Sequence, residues 1–124
     1  MPPFNLKETD KLLTTTRAVR RRLDFEKPVP REVILECLDI SQQAPTGSNR
    51  QGWRWIIVTS SEKREALADI YRKGAGEYLV KSQNAAAAAG DNQTERVYSS
   101  AQYLAENLEK VPVHVIPLIK VDHM

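Results

Sequence analysis

The 124 residues are one domain's worth of chain, and a 41% hydrophobic content is enough for a core. A net charge of +2 is too small to argue for a nucleic-acid partner, and the single cysteine, Cys37, excludes an internal disulfide. Cys37 suits a reducing cytosol, the first residues lack a basic and apolar leader pattern, and no apolar run approaches a membrane span; the expectation is a cytoplasmic protein without a membrane partner.

Residues 1–5 hold two prolines and read as a loose start. Over residues 6–15, Leu6, Leu12 and Leu13 alternate with charges, which predicts a short amphipathic helix weakened at its end by Thr14, Thr15 and Thr16. The segment Arg17-Ala18-Val19-Arg20-Arg21-Arg22 follows, four arginines in six residues. Guanidinium forks match phosphate oxygens, so one reading is an anchor for a phosphate-bearing ligand. The alternatives are a solvated charged segment beside Asp24 and Glu26, or a nonspecific nucleic-acid patch. The last lacks an aromatic platform for bases.

Pro28 and Pro30 mark a helix entrance, and residues 30–43 place Val33, Ile34, Cys37, Leu38 and Ser41 on one helical face. Cys37 is therefore expected in core packing rather than as a nucleophile. Pro45 stops that helix. Gly47 permits a positive φ, while Thr46, Ser48 and Asn49 can hydrogen-bond to nearby backbone. Such a turn exposes N–H groups, hydroxyls and amides at one end of a sheet, which suits a flat polar ligand. The other reading is an ordinary helix-to-strand connection.

Trp53 to Thr59 reads as a strand. Ile56, Ile57 and Val58 are apolar on both sides of the pleat, as in a central strand covered on both faces. Ser60 or Ser61 caps the next helix, which carries Leu67, Ile70 and Tyr71 and is loosened by Gly74 and Gly76. Residues 82–93 contain five consecutive alanines flanked by Asn, Gly and Asp, and are expected to form a mobile connector or lid. Thr94 is the expected cap of a helix over 95–109, with Tyr98 and Tyr103 as packing residues. Residues 113–121 form a second strand, in which Pro117 argues for a bulge or an unpaired position.

No side chain stands out as acid, base or nucleophile, so the expected catalytic set is empty. His114 and His123 lack metal-ligand spacing, and no metal site is expected. No dinucleotide glycine motif, P-loop or internal repeat occurs. Redox or group-transfer chemistry would then belong to a bound cofactor. A flavin mononucleotide needs both an anion anchor and a polar edge, the two features that stand out.

Three motifs in order carry a resemblance: Thr16-Arg17-Ala18-Val19-Arg20, then Lys27-Pro28-Val29-Pro30 opening a helix, then Ala44-Pro45-Thr46-Gly47-Ser48-Asn49 running through Gly52-Trp53 into an apolar strand. This order resembles the N-terminal half of the FMN-dependent nitroreductase family, over roughly residues 12–120. The resemblance implies an α+β fold, helices flanking a mixed sheet, incomplete in this chain, with residues 1–124 as a single domain that is the family's N-terminal portion. It implies that Arg17 and Arg20 contact the phosphate and ribityl chain of FMN. Ala18 stands where the family has serine and offers only its backbone; Thr16 replaces a family arginine, a gap that Arg21 or Arg22 is placed to fill. Pro45, Thr46, Gly47 and Asn49 match the loop that reaches the flavin held mainly by the other subunit of a homodimer. Gly52 replaces the family proline, and Trp53 reads as core support. The implied activity is ping-pong hydride transfer from NADH or NADPH through FMN to a nitro compound, quinone or similar acceptor. The alternative is a non-catalytic, shortened member that acts only by associating with itself or with a longer relative.

Overall fold

Asn5 opens the first helix by accepting the Glu8 N–H on Oδ1 at 3.2 Å, and in the computed structural model, which describes residues 3–122, that helix is α1, Leu6–Thr15. Helix α2 spans Arg31–Ser41 with Pro30 at its N-cap, strand β1 spans Trp53–Val58, helix α3 spans Ser61–Ala88, helix α4 spans Asn92–Asn107 and strand β2 spans His114–Ile119. Short 3₁₀ turns occupy Gly47–Asn49 and Leu108–Lys110. The arrangement is α+β.

The segment expected to be a mobile connector is helix. α3 runs through Gly74 and Gly76 and through the alanines before stopping at Gly90. An interior glycine costs a helix about 1 kcal/mol relative to alanine, which packing against α4 offsets: Ala68, Leu79 and Ala86 are buried on one α3 face and Ala105 on α4. The stop is a Schellman motif. Gly90 takes φ +72, its N–H reaches Ala87 O at 3.1 Å, and the Asp91 N–H reaches Ala86 O at 2.9 Å. Asp91, not Thr94, then caps α4, its Oδ1 accepting the Thr94 N–H at 3.0 Å. Two residues thus end one helix and start the next as a tight antiparallel pair.

β1 and β2 pair antiparallel, with Trp53 opposite Ile119 and Val58 opposite His114. The Lys120 N–H donates to Gly52 O at 2.7 Å, so alternation along the ladder puts the Trp55–Pro117 pair at a non-hydrogen-bonded position. Pro117 therefore needs neither a bulge nor an N–H, and the register runs unbroken. The expectation of a central, doubly covered β1 is corrected: among the described residues the sheet has two strands, and Ile56 is 47% exposed. One face carries Trp55, Ile57 and Val115 toward α2; on the other, Val58 is buried while Ile56 is exposed.

Arg64 holds the sheet to the helices. Its Nε donates to Thr59 O at 3.1 Å, and Nη1 donates to Glu109 O and Val111 O, both at 2.8 Å. His114 adds an Nε2–H bond to Leu108 O at 2.8 Å, a structural role, while His123 lies outside the described residues. Cys37 is exposed rather than core-packed, because α2 lies over the sheet with a cleft between them.

Candidate functional site

The arginine segment is irregular chain between α1 and α2, and α4 organises it. Arg20 Nη1 donates to Ser100 Oγ at 3.2 Å. Arg21 Nη2 donates to Ser99 Oγ at 2.8 Å and to Ser99 O at 3.3 Å, and its guanidinium lies 4.9 Å from the centroid of the Tyr103 ring. Phe25 stacks on the same ring, centroids 6.4 Å apart and planes 19° from parallel. Ser99, Ser100 and Tyr103 fall on one α4 face through their spacing of three and four. The phenol ring attracts the cation and the hydroxyls accept from it. Arg17 stays exposed, its Nη1 donating to Thr14 O at 3.0 Å and Thr16 O at 2.8 Å, and Ala18 is exposed beside it.

The polar turn is built by its own side chains. The Gln51 N–H donates to Thr46 Oγ1 at 3.0 Å, Gln51 Nε2 donates to Asn49 Oδ1 at 3.0 Å, and Trp53 Nε1 donates to Gln51 Oε1 at 3.1 Å. The Asn49 N–H closes the 3₁₀ turn on Thr46 O at 3.0 Å. The left-handed backbone does not fall on Gly47. It falls on Ser48, Asn49 and Gln51, with φ of 55°, 51° and 49°. Each left-handed non-glycine costs energy, asparagine least, and such positions concentrate where a ligand is met. Among the described residues the N–H groups of Gly47 and Ser48 meet no acceptor, and Pro45, Gly47 and Asn49 are exposed while Thr46 is half-buried. Gly52 closes the turn against β2: a Cβ there would lie 3.0 Å from Lys120 O, so the glycine lets the strands approach.

The sequence-expected site residues thus form two groups. The hydrogen bonds of Arg20 and Arg21 go to α4, those of Arg17 to the end of α1, and those of the turn stay within it and at the sheet end. No hydrogen bond joins the two groups within one chain among the described residues. Sequence reasoning missed Ser99 and Ser100 as partners of the arginines; the available signal was a hydroxyl pair three to four residues before Tyr103.

Electrostatics concentrate at the far end of α4. Arg72 Nη1 donates to Glu109 Oε2 at 2.9 Å and to Ala105 O at 2.9 Å, and Nη2 donates to Asp69 Oδ1 at 2.8 Å. The Arg72 hydrogen bond holds the Glu109 carboxyl below the usual glutamate value, and its bonds to Asp69 and Glu109 raise the Arg72 guanidinium. The Tyr78 and Tyr98 hydroxyls lie 3.0 Å apart, and that hydrogen bond lifts the Tyr98 phenol above its ordinary value. This pair joins the two helices. Among the described residues no group of three or more His, Cys, Asp or Glu side chains could hold a metal ion, and no helix is long and apolar enough to cross a membrane.

A family model described as the nitroreductase family matches residues 13–122. A putative NADH dehydrogenase/NAD(P)H nitroreductase of Stenotrophomonas maltophilia strain K279a, Smlt0482, is 35% identical over 65 residues, 52% of this chain and 32% of that protein. The putative NAD(P)H nitroreductase YodC of Bacillus subtilis strain 168 is 28% identical over 102 residues, 76% of this chain and 49% of that protein. The crystal structure of a BluB-like flavoprotein from Clostridium difficile 630 superposes with a TM-score of 0.58 at 23% identity, covering 97% of this chain and 51% of that one. At that identity the likeness is one of fold. The chain spans about half the length of these proteins or less.

Proposed function

The chain belongs to the nitroreductase family, and from that membership we propose that it serves an FMN-dependent NAD(P)H oxidoreductase that reduces nitro compounds, quinones or similar acceptors in a homodimer. The carrying observation is the family match over residues 13–122, which takes in both the arginine segment and the polar turn. The donor set fits the cofactor: guanidinium groups for a phosphate, and open N–H, hydroxyl and amide groups for a ring edge. Arg17 and Arg20 would hold the phosphate and ribityl chain, with the Ala18 backbone beside them. Pro45, Thr46, Gly47 and Asn49 would edge the ring. The chemistry that bound FMN supplies is two-electron transfer from NADH or NADPH to the acceptor, in ping-pong order.

This chain's residues position and do not transfer protons. α4 holds the arginine segment through Ser99, Ser100 and Tyr103, so that Arg20 is set before any ligand arrives. The left-handed Ser48 and Asn49 shape a turn in which, among the described residues, the N–H groups of Gly47 and Ser48 meet no acceptor. That no hydrogen bond joins the two groups among the described residues of one chain suits a site shared between subunits, each chain giving its arginines to one flavin and its turn to the other.

The visible spectrum of the purified protein tests the reading. A yellow protein with flavin absorbance, or a colourless one that becomes yellow with added FMN and then oxidises NADH or NADPH with a quinone, supports it. A protein that takes up no FMN at any concentration overturns it. A second reading, a member that only associates, is favoured by one observation: large apolar side chains including Phe4, Leu13 and Val121 are more than 70% exposed. It predicts self-association without flavin.

A further inference from the structure

The indole of Trp53 can only donate a hydrogen bond, and that sets the direction of the amides in the polar turn. Its Nε1–H points at the Gln51 side chain, 3.1 Å away, so the atom that it meets is Oε1. The Nε2 end of the Gln51 amide is then turned the other way, 3.0 Å from the Asn49 side chain. An NH2 group offers no lone pair, so the Asn49 atom that faces it is Oδ1. One direction, N–H to oxygen, thus passes through two side chains in succession. What is left over is Asn49 Nδ2, whose protons meet no acceptor among the described residues.

The relay stands on a fixed base. Trp53 opens β1 opposite Ile119, is half-buried, and stacks on Trp55 with ring centroids 6.4 Å apart and planes 22° from parallel. The Gln51 backbone is held as well, its N–H donating to Thr46 Oγ1 at 3.0 Å. Both amide residues are left-handed, with φ of 51° at Asn49 and 49° at Gln51. For glutamine that backbone is costly, and it persists where its surroundings determine it. All of these side-chain contacts fall between Thr46 and Trp55.

We propose that Trp53 and Gln51 are positioning residues that fix the Asn49 amide with its NH2 end toward the ligand, so that Asn49 offers a donor rather than an acceptor to a carbonyl oxygen of a bound flavin ring. The inference rests on the FMN reading above and adds the direction of one hydrogen bond to it. Direction matters for redox chemistry. The ring oxygens gain negative charge when the ring takes up two electrons, and a fixed donor there holds the reduced form more tightly than the oxidised one. An amide free to rotate would present Oδ1 part of the time and lose that preference. Trp53 then acts through its N–H as well as through its ring.

Exchange of side-chain amide protons with water, followed by NMR on the full chain without ligand, reads the orientation first. The Gln51 Nε2 protons should be protected and the Asn49 Nδ2 protons unprotected. Trp53→Phe, which has no indole N–H, should abolish the protection at Gln51. Gln51→Glu has an acceptor at both oxygens, so it should reverse the relay and move the protection to Asn49 Nδ2. Gln51 is exposed, so its variants keep the fold even where Trp53→Phe does not. Protection at Asn49 Nδ2 in the parent, or no reversal in Gln51→Glu, overturns the inference. The second measurement compares binding of oxidised and reduced FMN. Gln51→Met should lower the preference for the reduced form about tenfold, equivalent to about 30 mV in midpoint potential. An unchanged potential in Gln51→Met overturns the role toward the ring. A chain that takes up no FMN yet shows the protection and its reversal leaves the amide orientation standing and removes only the flavin reading.

Discussion

Arg72 on α3 reaches Glu109, just beyond the end of α4, with Nη1 2.9 Å from Oε2, and the same nitrogen reaches Ala105 O at 2.9 Å. One guanidinium thus satisfies a side chain and a backbone carbonyl near the end of the partner helix, and through Asp69 a side chain on its own. Arg64 continues the seam by binding Glu109 O and Val111 O. These two arginines connect the helical pair to the entrance of β2.

Arg72→Met keeps the side-chain stem and removes every one of these donors. It leaves Ala105 O and the Glu109 carboxylate without their partner, and unpaired acceptors are costly when half-buried. The expected outcome is a melting temperature lower by several degrees with unchanged helix content at low temperature, read by circular dichroism. Arg72→Lys should recover only part of the loss, because an ammonium cannot span two acceptors in a plane. In contrast, Glu77→Gln should leave the melting temperature unchanged, since the Lys81–Glu77 pair is exposed on both sides.

The same pair sets an acid response. Hydrogen bonding from Arg72 holds Glu109 below the usual glutamate pKa in the folded chain. Hydrogen bonds from the Thr94 side chain and N–H hold Asp91 below the usual aspartate value. A carboxyl with a lowered folded pKa contributes stability above its unfolded pKa and loses it as the pH falls through the folded value. Stability in urea should therefore be level above about pH 5 and decline below it. Asp91→Asn and Glu109→Gln should each flatten part of that decline; an unchanged slope in both would exclude these groups as its source.

The elements were legible where periodicity and punctuation agree. α1, α2, β1 and β2 lie within a residue or two of their expected bounds, because Pro30, Pro45 and the β-branched run of β1 are strong local signals. The alanine segment was misread because its small side chains seemed to have nothing to bury. α4 packs close enough to use them, and Ala86 is buried for that reason. Gly74 and Gly76 looked like a stop, but the stop needed a left-handed residue followed by a cap, and Gly90-Asp91 supplies both. The same limit applies to the site. Arginines and polar turn are visible as residue types, whereas the α4 serines that hold Arg20 and Arg21 are 78 to 80 residues away in sequence. The family model matches residues 13–122, whereas Cys37 is exposed beside the cleft between α2 and the sheet, which a helical-face pattern alone does not reveal.

Leu79 is the largest side chain among the buried residues, 6% exposed between α3 and α4. Leu79→Ala removes its apolar contacts and leaves a cavity, a change that costs about 2–5 kcal/mol in packed interiors. With so few buried residues, that is a large part of the stability of the helical pair. The expected result is loss of a cooperative thermal transition, or a urea midpoint reduced by at least half, while a midpoint within error of the parent would show that the core lies elsewhere.

Arg20→Ala separates ligand binding from folding. Arg20 is half-buried and makes a single hydrogen bond to Ser100 Oγ at 3.2 Å, a long contact whose loss the fold should tolerate. If the guanidinium also meets the phosphate of FMN, its removal takes away a charge-assisted bond of about 1.5–3 kcal/mol, or roughly ten- to a hundredfold in Kd. Ser100→Ala tests the other half of the argument. It keeps the charge but frees the side chain, so its effect on FMN affinity should be smaller and in the same direction. Both are measured by quenching of flavin fluorescence on titration, with melting temperature as the check on folding. Equal affinities in parent and Arg20→Ala would take that arginine out of the site. The phosphate would then fall to Arg17, whose guanidinium bonds only to carbonyls of its own neighbourhood, at Thr14 and Thr16.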